Sequence, residues 1–274
     1  MNNLLKPSFY ISEIKSALNL LNRHSGSYSD WSEAVSNSQS YQNEKIIDQI
    51  KSAALVAKTE NKYFRDGVVF ETFKYSSELN NLISTAYIKN CLPLGVDRQL
   101  KILDYGGGMG SQHLQFHQYL NNFGINFHYN WEVVEQDILA DFGKKNLETK
   151  YLKFSSIKDF EAKKENYDIV VLGATLQYLE NPFEILDKIL EKRPSYIYID
   201  RTPFWKGNTN EICILKCNKF IPGSYPTWIF SLNNFLNYFK NKYILKVNFN
   251  SEEGNFFFSK IRDGVYEGMI WGKK

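Results

Sequence analysis

The sequence predicts an α/β protein built on a mostly parallel sheet, and three observations support this prediction. A glycine-rich loop, residues 106–110, follows an apolar strand and precedes a helix that starts near Ser111. Apolar strands and helices then alternate up to Asp200, which is typical of a parallel sheet with helices on both faces. Two further strands close the chain and predict an antiparallel C-terminal hairpin. We therefore expect a Rossmann-like sheet of seven strands.

The first third of the chain is predicted to be helical. Asp30 and Glu33 have the spacing of a capping box at the start of a short helix, and Ser25-Gly26-Ser27 ends the helix before it. Since no low-complexity linker follows, we expect a helical N-terminal cap, residues 1–95, packed directly on a core domain, residues 96–274. The other helices of the cap are predicted over about 8–23, 43–58 and 76–91.

The core domain is predicted from short apolar runs. Residues 167–172 form a continuous run typical of a buried parallel strand. Asn181 and Ser231 are candidate N-caps of the helices that follow them. The alternation breaks after Asp200, so we expect an insertion at about 201–230, with an extended piece at 211–217. The seven strands are predicted over 100–105, 127–135, 150–154, 167–172, 196–200, 243–249 and 265–271.

Composition restricts the class of protein. The chain has 274 residues, 43% of them hydrophobic, which is enough to bury one α/β core with a smaller appendage. A net charge of +3, with basic residues spread along the chain, argues against nucleic acid as the main partner. Three cysteines without a C-x-x-C pair predict neither a disulfide framework nor a metal site, but buried thiols. Without a signal peptide or a membrane-spanning apolar run, the chain is expected to be soluble, cytoplasmic and not inserted in a membrane.

The glycine loop has a diagnostic spacing. Asp104 precedes three alternating glycines, giving Asp-x-Gly-x-Gly-x-Gly over residues 104–110. A dinucleotide fingerprint needs Gly-x-Gly-x-x-Gly, and its third glycine would fall on Ser111. The next predicted strand ends in Glu135, where doubly wound folds place a carboxylate that binds a ribose. Together the two motifs indicate a nucleoside cofactor.

The alternating glycine pattern resembles the first motif of class I methyltransferases that use S-adenosylmethionine, and the acidic end of the next strand fits the same cofactor. The resemblance implies that cofactor, with the loop amides facing its methionine moiety and Asp104 positioning it directly or through water. It also implies that Glu135 binds the ribose hydroxyls, that Ser155 to Ile157 border the adenine, and that Gly173 and Ala174 lie under the methyl group. The residues implied to bind the cofactor are Asp104, Tyr105, Gly106, Gly107, Gly108, Glu135, Gln136, Ser155, Ser156, Ile157, Gly173 and Ala174.

Further segments resemble one methyltransferase family found among bacterial capsule and lipopolysaccharide genes. Its most specific matches are Asp200-Arg201-Thr202-Pro203-Phe204 and Ser224-Tyr225-Pro226-Thr227-Trp228. The resemblance implies a small acceptor such as a sugar, a nucleotide-linked sugar or an anionic substituent such as a phosphoramidate precursor. The matching segments are 28–34, 63–66, 103–107, 131–136, 176–179, 199–204 and 224–228.

Catalytic and acceptor-binding residues are predicted from the same segments. His113, His117 and Asp200 are candidate bases; His113 is alternatively a packing or capping residue. Arginine forms bidentate contacts with phosphate and carboxylate, so Arg65 and Arg201 are candidate ligands of an anionic acceptor; alternatively each pairs with a neighbouring aspartate. The predicted catalytic residues are His113, Tyr178, Asp200 and Arg201, and the predicted acceptor-binding residues are Arg65, Gln177 and Tyr225.

Two other functions remain open. A catalytically silent subunit could keep the fold and bind the cofactor, because a fold does not imply a function. A nicotinamide-dependent oxidoreductase is disfavoured by the loop spacing and by the C-terminal hairpin.

Overall fold

The computed structural model describes residues 23–39, 44–73, 75–91, 98–217, 223–258 and 261–274. The predicted helix 8–23 and the predicted domain junction at residue 95 lie outside these residues, apart from Arg23 at the end of that helix.

The N-terminal part combines helices with short strands. Its elements are β1 (Arg23–Tyr28), α1 (Trp31–Ser36), α2 (Glu44–Glu60), β2 (Tyr63–Arg65), β3 (Val68–Phe70) and α3 (Ser77–Asn90). Strands β2 and β3 form a hairpin whose two turn residues, Asp66 and Gly67, both have positive φ. An Asp-Gly pair favours this type of turn, so Asp66 has a structural role.

The core alternates strands and helices as predicted. Its first half comprises β4 (Leu100–Tyr105), α4 (Ser111–Asn122), β5 (Tyr129–Glu135), α5 (Asp137–Asn146), β6 (Leu152–Ser156), α6 (Ile157–Ala162), β7 (Ile169–Gly173) and a 3₁₀ turn (Leu176–Tyr178). Its second half comprises α7 (Pro182–Glu191), β8 (Tyr196–Trp205), β9 (Glu211–Cys217), β10 (Gly223–Ser231), α8 (Leu232–Phe239), β11 (Tyr243–Phe258) and β12 (Ile261–Lys273).

Seven strands form the predicted sheet, in the order β6-β5-β4-β7-β8-β12-β11. The pairs from β6 to β8 are parallel, and β12 is antiparallel to both of its neighbours. The predicted fold class, including the antiparallel C-terminal hairpin, is confirmed.

The insertion extends this sheet. Strand β8 continues past Asp200, and its end pairs in parallel with β10 at Phe204 and Trp205. Strands β10, β9 and β1 then follow as antiparallel neighbours. The sequence analysis placed a helix up to residue 23 and only a break at 25–27, but Arg23–Tyr28 pairs with β9 as a strand.

Two hydrophobic clusters cover the two faces of the sheet. On one face α2, α3, α4 and α5 pack against the strands, with Trp131 and Tyr198 fully buried there. On the other face α6, α7 and α8 pack around Phe160 and Phe235. The N-terminal helices therefore share a hydrophobic core with the central strands.

The predicted caps are partly confirmed. Ser231 Oγ accepts a hydrogen bond from the Asn234 amide. Asp30 accepts one from the Glu33 amide, while Glu33 in turn accepts from Ser29 rather than from Asp30. Asn181 holds the N-cap position without a side-chain cap hydrogen bond.

Cys91 and Cys213 are buried free thiols, as expected. In the described residues, no helix has the length and hydrophobicity to cross a membrane.

Candidate functional site

The glycine loop connects β4 to α4 through left-handed backbone. Gly106, Gly108 and Gly110 have φ of +71°, +59° and +79°, which side-chain-bearing residues rarely adopt. A Cβ at Gly106 would also lie 2.5 Å from Thr175 Cγ2, whereas one at Gly108 would meet no other heavy atom of the described chain within 4 Å. The loop is therefore closely packed at Gly106 and open at Gly108.

Asp104 lies directly beneath this loop. Its side chain is fully buried, and a Cβ at Gly107 would collide with its carboxyl group. Trp131 Nε1 donates to Asp104 Oδ2 at 3.1 Å, while Asp104 Oδ1 is buried with no hydrogen-bond partner among the described residues. Burial raises the pKa of this carboxyl to about 7, although the Trp131 hydrogen bond opposes the shift.

Glu135, at the end of β5, links the second predicted motif to the loop. Its Oε1 accepts a hydrogen bond from the Gly108 amide at 2.9 Å, and its Oε2 accepts one from the Gln136 amide at 3.0 Å. Burial raises the pKa of Glu135, and these two amides oppose the shift. The carboxylate is thus fixed beside the open part of the loop.

The carboxyl end of β7 lies next to the loop. Thr175 Oγ1 donates to the carbonyl of Tyr105 at 3.0 Å, which joins the end of β7 to the end of β4. Ala174 has a φ of +59°. A Cβ at Gly173 would collide with Gln112 Nε2 and would lie 3.0 Å from an Arg201 guanidinium nitrogen. The side chains of Gln112 and Arg201 can therefore occupy these positions only because residue 173 is a glycine.

A β-bulge lies in the middle of β8. Ile199 pairs with Met269 and Thr202 with Glu267, so β8 carries one extra residue between them. Arg201 lies in this bulge with a φ of +53°, while Asp200 still pairs with Gly173 of β7. Bulges frequently redirect side chains beside functional sites, and here both Asp200 and Arg201 line a cavity.

That cavity has a volume of about 290 Å³ and lies between α4, the bulged middle of β8, the β2–β3 hairpin, the start of α3 and β11. It brings together Arg65 and Arg201, which the sequence analysis singled out from segments far apart in the chain. Its lining consists of Tyr63, Arg65, Tyr75, Ser76, Ser77, Glu78, Ser111, Gln112, Gln115, Tyr198, Asp200, Arg201, Phe249, Asn250, Ser251 and Glu252.

Both arginines have acidic neighbours. Arg201 Nε lies 3.7 Å from Asp200 Oδ2, and Arg65 lies 3.7 Å from Asp66 and 4.0 Å from Glu252. Burial works against the charge of Arg201, but Asp200, Glu253 and Asp66 hold its pKa above the usual value. Burial also raises the pKa of Asp200, while Arg201 lowers it.

His113 lies away from this cavity. It is 4% exposed and packs between Tyr129, Trp131 and His117. Burial lowers its pKa to about 3, so the imidazole is neutral and enclosed. These contacts match the packing alternative, and we do not retain His113 as a base.

Tyr225 and Tyr178 lie beside each other in a different hydrophobic cluster. Tyr225 is fully buried against Ile46, and Tyr178 packs there in part. Neither is among the described residues that line the cavity. Gln177 is also buried and donates to the carbonyl of Arg201 at 2.9 Å. It therefore stabilises the backbone of the bulge.

The residues predicted to border an adenine are engaged with the protein. Ser155 donates to Glu132, which also pairs with Lys163. Ser156 caps α6 in a reciprocal capping box with Asp159, and Ile157 is partly buried against the second cluster. A role of these three residues in cofactor binding stays a prediction.

Three residues that line the cavity were not predicted from the sequence: Gln112, Tyr198 and Glu252. Gln112 lies two residues past the last loop glycine. Its position in the first turn of α4 could therefore have indicated that it lies near the site. Tyr198 is buried in β8, where its hydroxyl contacts Ser76 Oγ at 3.1 Å. Glu252 reaches the cavity through a strand that continues well beyond its predicted end.

No family model and no curated protein matches this chain, so membership of the surface-polysaccharide family stays a prediction. Several solved structures are similar. The N-terminal domain of EvdMO1, in the presence of SAH and D-fucose, has 12% identity and a TM-score of 0.47, covering 83% of this chain and 96% of that chain. The glycopeptide N-methyltransferase MtfA, complexed with S-adenosyl-L-methionine, has 10% identity and a TM-score of 0.44, covering 77% and 100%.

A third similar structure is SAM-bound CalS10, an amino pentose methyltransferase from Micromonospora echinaspora. It has 10% identity and a TM-score of 0.43, covering 72% of this chain and 89% of that chain. With identities and TM-scores this low, function has to be inferred from the residues of this chain.

Proposed function

We propose that this chain is an S-adenosylmethionine-dependent methyltransferase. The observation that carries the proposal is the hydrogen bond from the Gly108 amide to Glu135. It fixes a carboxylate beside a glycine loop at the carboxyl edge of a parallel sheet, where ligands bind in open α/β folds. A carboxylate oxygen can accept more than one hydrogen bond, so Glu135 can also accept from ribose hydroxyls.

Two more observations fit this cofactor. The space around the Gly108 Cα position gives a ligand close access to the main chain. Asp104 Oδ1 is a buried acceptor without a partner among the described residues, and buried acceptors are usually satisfied. A donor on the methionine moiety, direct or through water, would satisfy it. Glu135 and Asp104 would therefore hold the cofactor beside the loop, whose Gly106 and Gly108 amides already donate to the Val134 carbonyl and to Glu135.

When bound, S-adenosylmethionine supplies an electrophilic methyl group on a sulfonium. This chain's residues would have to hold the acceptor hydroxyl against that methyl group and accept the proton that the hydroxyl loses. Asp200 is our candidate for the base that accepts this proton because it lines the cavity and its pKa is raised, which brings it closer to the working pH. Positioning of the acceptor supplies much of the acceleration in such a displacement.

For the acceptor, we propose a small precursor of a bacterial surface polysaccharide, such as a capsule sugar. Support comes from the resemblance of residues 199–204 and 224–228 to that family, and from the cavity at Asp200 and Arg201. Transfer to oxygen is favoured over transfer to nitrogen by the carboxylate of Asp200. The resemblance leaves open whether the acceptor is anionic or sugar-linked.

Calorimetry with S-adenosylmethionine, its demethylated product and NAD tests the cofactor. We expect binding of the first two and none of NAD. Binding of NAD alone would contradict the proposal in favour of an oxidoreductase. Cofactor binding without turnover of any acceptor would favour a silent subunit.

A further inference from the structure

The cavity at the β8 bulge contains more acidic than basic groups. Arg65 and Arg201 line it together with three carboxyl groups, those of Glu78, Asp200 and Glu252. With all of these ionised, the lining carries one net negative charge. The carboxylate of Glu253, next to Glu252 in the chain, also raises the pKa of Arg201. An anion entering this cavity would meet carboxylates as well as arginines.

The protein already balances the charge of both arginines. Arg201 faces Asp200 at 3.7 Å, and Arg65 faces Glu252 at 4.0 Å. Both side chains are largely buried, with 14% and 22% of their surface exposed, so water screens these charges less than it would at the surface. An anionic acceptor would have to displace or approach these carboxylates, and juxtaposed like charges are costly.

The same groups suit hydroxyls. A hydroxyl both donates and accepts a hydrogen bond, and the lining contains both donors (Arg65, Arg201, Gln112) and acceptors (Asp200, Glu252). The rings of Tyr63, Tyr75 and Phe249 add apolar surface. A volume of about 290 Å³ is at the lower limit of ligand pockets, which span roughly 300–1,000 Å³. The cavity therefore has room for one small ring.

We propose that this cavity binds an uncharged, hydroxyl-rich acceptor of monosaccharide size, and that its carboxylates discriminate against anionic acceptors. This inference rests on the proposed methyltransferase function and specifies its substrate. Arg201 and Arg65 donate to acceptor hydroxyls while they stay paired with Asp200 and Glu252.

A matched panel of acceptors tests this. The full-length protein with S-adenosylmethionine is offered methyl glycosides of hexoses in several configurations, the corresponding uronates, the sugar phosphates and the amino sugars, and methylated products are identified by mass spectrometry. We expect methylation of neutral members, at least tenfold faster than that of the anionic ones. Preferred methylation of uronates, phosphates or amino sugars overturns the inference, as does a failure to methylate any neutral member. Failure to bind the cofactor in calorimetry overturns instead the proposed function.

A charge variant tests the discrimination itself. Glu252→Gln removes one carboxylate next to Arg65 and should raise the rate on anionic members relative to neutral ones roughly tenfold. The matched control is Glu71→Gln, since Glu71 is 82% exposed and pairs with Lys62 outside the cavity. An unchanged anionic-to-neutral ratio in Glu252→Gln, with cofactor affinity and melting temperature intact, overturns the discrimination.

Discussion

The carboxylate of Glu135 accepts a hydrogen bond from the Gly108 amide at 2.9 Å. This contact joins two strand ends that the sequence separates by more than twenty residues. It also makes the loop conformation and the carboxylate position depend on each other.

Glu135→Ala should weaken binding of S-adenosylmethionine and its demethylated product by roughly 2–4 kcal/mol, because hydrogen bonds to a charged group contribute about 1.5–3 kcal/mol each before competition with water. Calorimetry measures this directly. Asp141→Ala is the matched control, since Asp141 lies on the following helix with its side chain 77% exposed. Unchanged affinity in a folded Glu135→Ala protein would exclude the ribose role.

Gly106→Val should abolish cofactor binding, because the side chain would meet Thr175 and a β-branched residue does not tolerate a φ of +71°. Gly124→Val is the control: Gly124 has a φ of +63° and open space around it, at the far end of α4. Both variants should lose stability in thermal melts, but only the first should lose binding. If Gly106→Val still binds normally, the cofactor lies elsewhere.

Asp104 should make stability depend on pH. Its pKa is near 3.8 when unfolded and about 7 when folded, so between these values the folded state binds more protons. The free energy of unfolding therefore falls as pH rises through this window, by at most about 4 kcal/mol. Asp104→Asn, which can still accept from Trp131, should remove this slope. Urea titrations of both proteins across the window measure it, and identical slopes would contradict the assignment.

Arg201→Lys keeps the charge but loses the planar fork of donors. We expect kcat/KM for the acceptor to fall roughly ten- to hundredfold, equivalent to about 1.5–3 kcal/mol for a lost charged hydrogen bond, with cofactor affinity unchanged. Arg193→Lys is the control, because Arg193 also has a positive φ of 51° but is exposed at the other end of the sheet. Equal losses of cofactor affinity and turnover would place Arg201 at the cofactor instead.

Local patterns predicted the core strands well, because each is an apolar run bounded by turns. They could not predict β1. Its sequence, Arg-His-Ser-Gly-Ser-Tyr, has little apolar content, and it becomes a strand only by pairing with β9 near the other end of the chain. The continuation of β8 past Asp200 also depends on distant partners, β10 and β12.

The candidate site was predicted unevenly for the same reason. The order of the strands predicted that Glu135 and the glycines lie beside each other. They follow consecutive parallel strands, and such strands end at the same edge of the sheet. The sequence left two roles open for His113, and in the structure its helical position turns the ring toward Trp131, as the packing alternative expects. Tyr178 and Tyr225 belong to family-matching segments, but burial against Ile46 engages them elsewhere.

The bulge at Arg201 places backbone stability and the proposed binding of the acceptor in conflict at one position. A non-glycine residue in left-handed backbone costs about 1–2 kcal/mol, and such strain persists where the surrounding structure enforces it. Glycine would relieve the backbone but remove the guanidinium, and lysine would retain a cation while keeping the strain. Under the proposed acceptor role of Arg201, substitutions selected for stability at this position should lower turnover, so thermal tolerance and turnover should not improve together there.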